Sequence, residues 1–195
     1  MNEIFLKRPA VFFDQDGTLS EWRWIDIEYV KKEGYFKSVN PHANVIDSSR
    51  ILKMWGIPVG TYGAAWLHDG HSVRDKNWWM DRYAPHIDIE NRIYVPCGSE
   101  KVEYFYEMVG RDITKADILI DDNSDVLRSW EINGGTGIKV RTSENGQYGT
   151  WRGFSFRATD DAGTIASYIS YVRRIAISSM ELIVTGYTPA VSLLA

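Results

Sequence analysis

The sequence contains a single cysteine, Cys97, among 195 residues. No disulfide can therefore form within the chain, and we expect a cytoplasmic protein, because chains without disulfides are ordinary in reducing compartments. The chain also lacks a run of the roughly 20 apolar residues needed to span a bilayer. Its N-terminus has no apolar core or cleavage site typical of a secretory signal. These absences predict a protein without a membrane partner.

Basic residues are not in excess. Lysine and arginine number 22 against 26 aspartates and glutamates, which gives a formal charge of -4. Because broad nucleic-acid binding normally needs a basic face, this balance argues against a nucleic-acid partner. The four histidines are too scattered to predict a metal site. By contrast, 44% of the residues are hydrophobic, so one domain of this length can bury a full core.

Short apolar runs alternate with amphipathic segments along most of the chain. The predicted strands cover 10–13, 57–61, 92–95, 116–120, 137–140 and 154–157. This alternation predicts a Rossmann-like, three-layer α/β/α fold with a mainly parallel sheet, in a single domain over 1–195. Residues 20–41 are aromatic and charged without a clear period, and we interpret them as a small cap insertion. We expect 177–195 to be an apolar C-terminal tail that packs on the fold or on a second copy, as a homodimer.

Two of the predicted strands end in paired carboxylates. Asp14 and Asp16 follow the strand at 10–13, and Asp121 and Asp122 follow the strand at 116–120. Since ligands bind beyond the carboxyl ends of parallel strands, the four side chains should meet at one edge of the sheet. Buried carboxylates repel each other, and a hard cation such as Mg²⁺ relieves the repulsion. Either pair alone could simply cap a turn or a helix, but two such strand ends favour a metal site.

The motifs FFDQDGTL and ILIDD resemble the first and fourth motifs of the haloacid dehalogenase (HAD) superfamily of phosphotransferases. Thr61, at a predicted strand end, resembles the Ser/Thr of the second motif. Lys101, at the start of a predicted helix, resembles the lysine of the third. All four occur in the superfamily's order within residues 10–142. Taken from the residues alone, Thr61 could be an ordinary strand-end threonine and Lys101 a solvated helix lysine.

The resemblance implies a magnesium-dependent phosphatase. Asp14 would attack phosphorus to form an aspartyl-phosphate, and Asp16 would protonate the leaving alcohol and then activate the hydrolytic water. Thr61 and Lys101 would hold the phosphoryl oxygens. Asp16 argues against a dehalogenase, because the dehalogenases of the superfamily lack this second aspartate. The Mg²⁺ ligands that the resemblance implies are Asp14, Asp16 through its carbonyl oxygen, Asp122 and, nearby, Asp121.

A finer resemblance, to the 5'(3')-deoxyribonucleotidases, rests on EGYF followed by NP, on the stretch with Lys76, Trp78 and Trp79, and on LIDD followed by Trp130. It implies that the small phosphorylated substrate is a nucleoside monophosphate whose base stacks on aromatic side chains. The predicted substrate-binding residues are Thr18 on the phosphate and Trp22, Trp24 and Phe36 on the base. These aromatic residues could instead pack the cap against the body or form a partner surface. Arg74 and Lys76 could also reach the substrate, but we interpret them as a solvated helix face.

Two alternatives stay open. A related phosphatase could act on a sugar phosphate or on a nucleic-acid end. The chain could also be a non-catalytic, metal-binding interaction module, although such a module would have no need of Asp16 as a second acid.

Overall fold

A six-stranded sheet forms the centre of the computed structural model, which describes residues 8–22, 27–143 and 150–185. The strands are β1 (Val11–Phe13), β2 (Val59–Ala65), β3 (Arg92–Pro96), β4 (Ile118–Asp121), β5 (Thr136–Arg141) and β6 (Phe154–Arg157). Their order is β3-β2-β1-β4-β5-β6, and every neighbouring pair is parallel. The strand order changes direction between β1 and β4, which is where open parallel sheets bind their ligands.

Helices connect the strands. They are α1 (Ile27–Val30), α2 (Tyr35–Ser38), α3 (Ala43–Met54), α4 (Ser72–Tyr83), α5 (Lys101–Val109), α6 (Ser124–Ile132) and α7 (Ala162–Thr185), with a 3-10 turn at Ile89–Asn91. Among the described residues, no helix combines the length and the apolar character needed to cross a membrane.

Core clusters cover both faces of the sheet. Successive side chains of a strand point to opposite faces, so a single strand contributes to both clusters. Val11 and Phe13 belong to a core cluster that also contains residues of α3, α4 and α7. Phe12 belongs to a second cluster, formed with residues of α5 and α6 that include Phe105 and Trp130. This arrangement confirms the predicted Rossmann-like α/β fold with helices on both faces of a parallel sheet.

The boundary of β2 differs from the prediction. We expected the strand to end at Thr61 and a loop to follow, but β2 continues to Ala65 between β1 and β3. The small residues Gly63 and Ala65 look like loop residues in the sequence, yet an inner parallel strand needs no polar alternation. As a result, Thr61 pairs with Phe13 inside the sheet, one residue short of the level of Asp14.

The segments expected to be a cap and a tail are partly described. Residues 27–41 contain the one-turn helices α1 and α2, which join β1 to α3. The α7 helix continues to Thr185, into the segment expected to be a tail. Residues 186–195 lie outside the described residues, so the homodimer contact expected there stays a prediction.

Asp117 fixes the starts of β1 and β4 against each other. Its fully buried carboxylate accepts hydrogen bonds from the Ala10 N–H (3.0 Å) and the Thr114 N–H (2.9 Å). It also accepts two bonds from the Arg111 guanidinium, each 2.7 Å long. Because the two strands are held in register here, the acidic residues at their opposite ends lie side by side.

We expect Asp117→Asn to lower the free energy of unfolding by about 3 kcal/mol, because removing one charge of a buried ion pair leaves the other uncompensated. Urea denaturation followed by circular dichroism measures the change. The control is Asp112→Asn, at an exposed residue, which should stay within about 0.5 kcal/mol of the wild type. Equal stabilities of the two variants would contradict the anchoring role.

Candidate active site

The loop after β1 turns sharply and buries most of its residues. The Gln15 carbonyl accepts hydrogen bonds from the N–H groups of Leu19 (3.0 Å) and Ser20 (2.9 Å), which closes the turn. Gly17 has a φ of +79°, a conformation that favours glycine. A Cβ atom at Gly17 would lie 2.5 Å from the Cγ atom of Asp122, so only glycine lets the two acidic loops approach this closely.

Lys101 connects the ends of β1 and β4. It lies in the first turn of α5, and its ammonium donates to Asp14 Oδ1 (2.6 Å) and to Asp121 Oδ2 (2.7 Å). All three side chains are at least nine-tenths buried. Burial by itself lowers the pKa of Lys101, but the charges of Asp121 and Asp14 outweigh it and raise the pKa above its ordinary value. Lys101 therefore stays a cation between two carboxylates.

Asp121 and Asp122 lie between the sheet and α6. The second oxygen of Asp121 accepts a hydrogen bond from the Asn123 N–H at 2.8 Å. Burial raises the pKa of Asp121 to about 6, against the opposing charge of Lys101. Asn123 caps α6, because its side chain accepts from the N–H groups of Asp125 and Val126.

The donor atoms at this edge fit a divalent cation. Asp14, Asp121 and Asp122 each offer a carboxylate oxygen, and these oxygens lie within 4.8 Å of one another. The ammonium of Lys101 bonds to two of these carboxylates, and the charge of Lys139 also acts on Asp122. Carboxylate oxygens are the ligands that hard cations such as Mg²⁺ prefer. The structure therefore brings together the side chains of three of the four predicted metal-binding residues, Asp14, Asp121 and Asp122.

Asp16 has a different partner. Its Oδ2 atom forms an ion pair with the ammonium of Lys76, a residue of α4 that is fully buried. Burial raises the pKa of Asp16 above its ordinary value, and the charge of Lys76 opposes that increase. The interpretation of Lys76 as part of a solvated helix face is wrong. The ion pair joins residues 60 positions apart in sequence, and the charged sequence around Lys76 gives no sign of burial.

Neither predicted phosphate-binding threonine lies on the cavity wall. Thr61 and Thr18 are both fully buried, and neither hydroxyl has a hydrogen-bond partner among the described residues. Ala64, further along β2, lines the site cavity instead. Thr61 is absent from the wall because β2 extends four residues beyond it.

The predicted aromatic contacts divide into three cases. Trp22 lines the cavity and meets Tyr35 edge to face. Phe36 is 3% exposed, and its ring packs against Tyr35 and Trp66, so it does not offer an open face to a substrate. This burial contradicts the predicted substrate-binding role of Phe36, whose ring serves the packing alternative. Trp24 lies outside the described residues.

A cavity of about 740 Å³ opens above the carboxylates. Asp14, Asp16, Asp121 and Asp122 lie on one part of its wall, together with Lys101. Its outer wall combines polar and apolar groups from several loops and the start of α6: Trp22, Cys97, Ser124, Arg128, Thr142 and Thr150. The cavity is therefore large enough for a small organic molecule.

Comparison with known proteins supports the fold. No protein-family model matches the chain, and no curated protein sequence matches it significantly. Among solved structures, a D,D-heptose 1,7-bisphosphate phosphatase from B. bronchiseptica, complexed with magnesium and phosphate, is similar with a TM-score of 0.61 at 13% identity. The match covers 84% of this chain and 99% of that one.

Two further solved structures agree. A HAD-superfamily hydrolase from Ehrlichia chaffeensis has a TM-score of 0.54 at 15% identity, over 85% of this chain and 98% of that one. A D,D-heptose 1,7-bisphosphate phosphatase from Burkholderia thailandensis has a TM-score of 0.53 at 15% identity, over 89% of this chain and 99% of that one. The predicted resemblance to the HAD superfamily is thus confirmed at the level of the fold.

We expect Mg²⁺ to bind at the three carboxylates and to raise the thermal unfolding temperature of the wild-type protein. Asp122→Asn should weaken Mg²⁺ binding about tenfold or more, because a ligand charge is lost. Isothermal titration calorimetry measures both affinities. The matched control is Asp125→Asn, since Asp125 is exposed and outside the three-carboxylate cluster. Equal affinities of the wild type and Asp122→Asn would argue against this metal site.

Proposed function

We propose that this protein is a magnesium-dependent phosphomonoester hydrolase in which Asp14 is the nucleophile. The observation that carries the proposal is the ammonium of Lys101, which donates to Asp14 and Asp121 at once beside Asp122. This arrangement combines an anionic nucleophile, a fixed positive charge and a set of metal-ligating oxygens. The phosphatases among the fold neighbours agree with this chemistry.

The first half of the proposed reaction forms a covalent intermediate. A carboxylate oxygen of Asp14 attacks phosphorus, the bond from phosphorus to the leaving oxygen breaks, and Asp16 donates a proton to that oxygen. Lys101 holds the Asp14 carboxylate in place and offers positive charge to the transferring group. The products of this step are an aspartyl-phosphate and a free alcohol.

The second half restores the enzyme. Asp16, now a carboxylate, accepts a proton from a water molecule whose oxygen attacks phosphorus, and the bond to Asp14 breaks to release inorganic phosphate. Asp14, Asp121 and Asp122 would hold Mg²⁺, with the Asp16 carbonyl as the fourth proposed ligand. When bound, the ion neutralises charge on the phosphoryl oxygens.

We expect Asp14→Asn to lower phosphate release by about a thousandfold or more, since the amide is not a nucleophile. The assay measures phosphate released from nucleoside monophosphates, sugar phosphates and p-nitrophenyl phosphate, with Mg²⁺ and with EDTA. Asp112→Asn serves as the control, because Asp112 is exposed and is not one of the proposed site residues. Circular dichroism checks that each variant is folded. Substantial EDTA-insensitive release, or an active Asp14→Asn variant, would refute the mechanism.

We further propose a nucleoside monophosphate as the substrate. Trp22 supports this choice, because its indole ring lies on the cavity wall that also carries the catalytic carboxylates. A base stacked on this ring would gain binding energy with little selectivity among bases. We also propose a reducing, cytoplasmic environment, which the single cysteine supports.

A sugar phosphate is the second candidate. Trp22 is the one aromatic side chain on the described cavity wall, whereas a base held between two rings needs a second. The hydroxyl groups of Thr142 and Thr150 on that wall suit a polyol. Two of the fold neighbours are themselves named as heptose bisphosphate phosphatases.

Trp22→Ala separates the two candidates. For a nucleotide substrate, we expect KM for deoxynucleoside monophosphates to rise about tenfold, as loss of a stacking contact predicts. Glycerol phosphate has no ring to stack, so its KM should change less than about twofold. Steady-state kinetics on both substrates gives the answer. Equal effects on both, or a wild type that prefers sugar phosphates, would remove the nucleotide assignment and leave the Asp14 mechanism intact.

A further inference from the structure

Lys76 is a buried cation that the proposed mechanism does not use. It lies in α4, its side chain is 1% exposed, and its ammonium forms an ion pair with Asp16 Oδ2. It is absent from the cavity wall, to which Asp16 belongs. A molecule in the cavity would therefore meet Asp16 rather than Lys76 itself.

Two aromatic rings lie close to this ammonium. The Phe36 ring centroid is 4.4 Å from Lys76 Nζ, and the Tyr94 ring centroid is 6.0 Å away. The Tyr94 hydroxyl bonds to Gln15 Oε1 at 3.3 Å, so it also contacts the loop that carries Asp16. An ammonium close to two rings has few orientations available, and its carboxylate partner is held correspondingly firmly.

Asp75, the residue before Lys76 in α4, contacts the insertion expected at residues 20–41, and these contacts do not involve Asp16. Asp75 accepts a hydrogen bond from the Gly34 N–H at 2.6 Å and forms an ion pair with Lys37 Nζ at 2.8 Å. Because Asp75 and Lys76 follow each other on one rigid helix, α4 holds the insertion and Asp16 at the same time. The Lys37–Asp75 pair also gives a contact that can be broken without touching Asp16.

We propose that Lys76 is a positioning residue, which holds one oxygen of Asp16 so that the carboxyl group points to the leaving oxygen of the substrate, and that Phe36 shields this ion pair from water. The inference rests on the proposed function and extends it to two residues outside the cavity wall. As the bond from phosphorus to the leaving oxygen breaks, its electron pair stays on that oxygen, and the proton of Asp16 moves to it. A carboxyl group that can rotate away would meet the leaving oxygen less often.

The dependence on the leaving group tests this role. An alkyl alcohol needs a proton to leave, whereas p-nitrophenolate leaves without one. We expect Lys76→Met to lower kcat/KM about a hundredfold for an alkyl phosphate such as glycerol phosphate. For p-nitrophenyl phosphate the loss should be under about threefold, because kcat/KM reports only the steps up to departure of the leaving group. Phe36→Leu keeps the ion pair. It should also lower kcat/KM more for glycerol phosphate than for p-nitrophenyl phosphate, but by a smaller factor than Lys76→Met.

Lys37→Met is the matched control, because it breaks an ion pair between the insertion and α4 without changing Asp16. Its losses on the two substrates should be equal and small. Equal losses for Lys76→Met on both substrates would show that Lys76 only supports the fold, and would overturn the assignment. An inactive wild-type protein would instead overturn the proposed function, and this assignment with it.

A double variant covers the case in which Lys76→Met alone does not fold. Asp16→Asn combined with Lys76→Met leaves no unpaired charge at this place. If Lys76 acts through Asp16, the double variant should match Asp16→Asn in kcat/KM for glycerol phosphate within about twofold. A further loss of tenfold or more in the double variant would overturn the positioning role.

Discussion

The ammonium of Lys101 is the interaction on which the rest of the site depends. The parallel pairing of β1 with β4 places Asp14 beside the end of β4, where the Asp14 N–H donates to the Ile120 carbonyl at 2.8 Å. Two almost fully buried carboxylates are thereby forced together. Without a shared cation, one of them would have to take up a proton or the strand ends would separate. The sheet order brings the two carboxylates together, and Lys101 at the start of α5 supplies the cation that allows both to stay charged.

Two glycines leave room for the closely spaced carboxylates. A Cβ atom at Gly17 would collide with the Asp122 carboxylate, and one at Gly63 would lie 3.3 Å from Asp14 Oδ1. The first position is a turn with positive φ, so glycine serves both the backbone and the close approach. The second lies inside β2, where a side chain would press against the Asp14 carboxylate. Both glycines serve the carboxylates by leaving room for them.

Local chemistry explains which features the sequence could predict. An apolar strand and the acid that follows it are contiguous, so the sheet, Asp14 and Asp121 could be inferred from short segments. The end of β2 was predicted too early, at Thr61, because strand length depends on burial by β1 and β3, which small residues do not reveal. The prediction that Lys76 is solvated was wrong because its partner, Asp16, lies 60 residues away. The sequence of a charged helix indicates solvent exposure even when its side chains make long-range contacts. Tertiary burial, which has no local signature, accounts for both errors.

The charges at the site also limit how a phosphate ester can bind. Four carboxylates line this part of the cavity, while the buried ammonium groups of Lys76 and Lys101 supply two positive charges. Lys139, one strand away, donates to the Ser124 hydroxyl at 2.7 Å, and its charge also acts on Asp122 and Asp121. These four carboxylates exceed the three ammonium groups by one charge, which opposes the approach of a phosphate dianion. In the proposed mechanism a divalent cation on Asp14, Asp121 and Asp122 would reverse the sign of this balance, so we expect the metal to bind before the substrate.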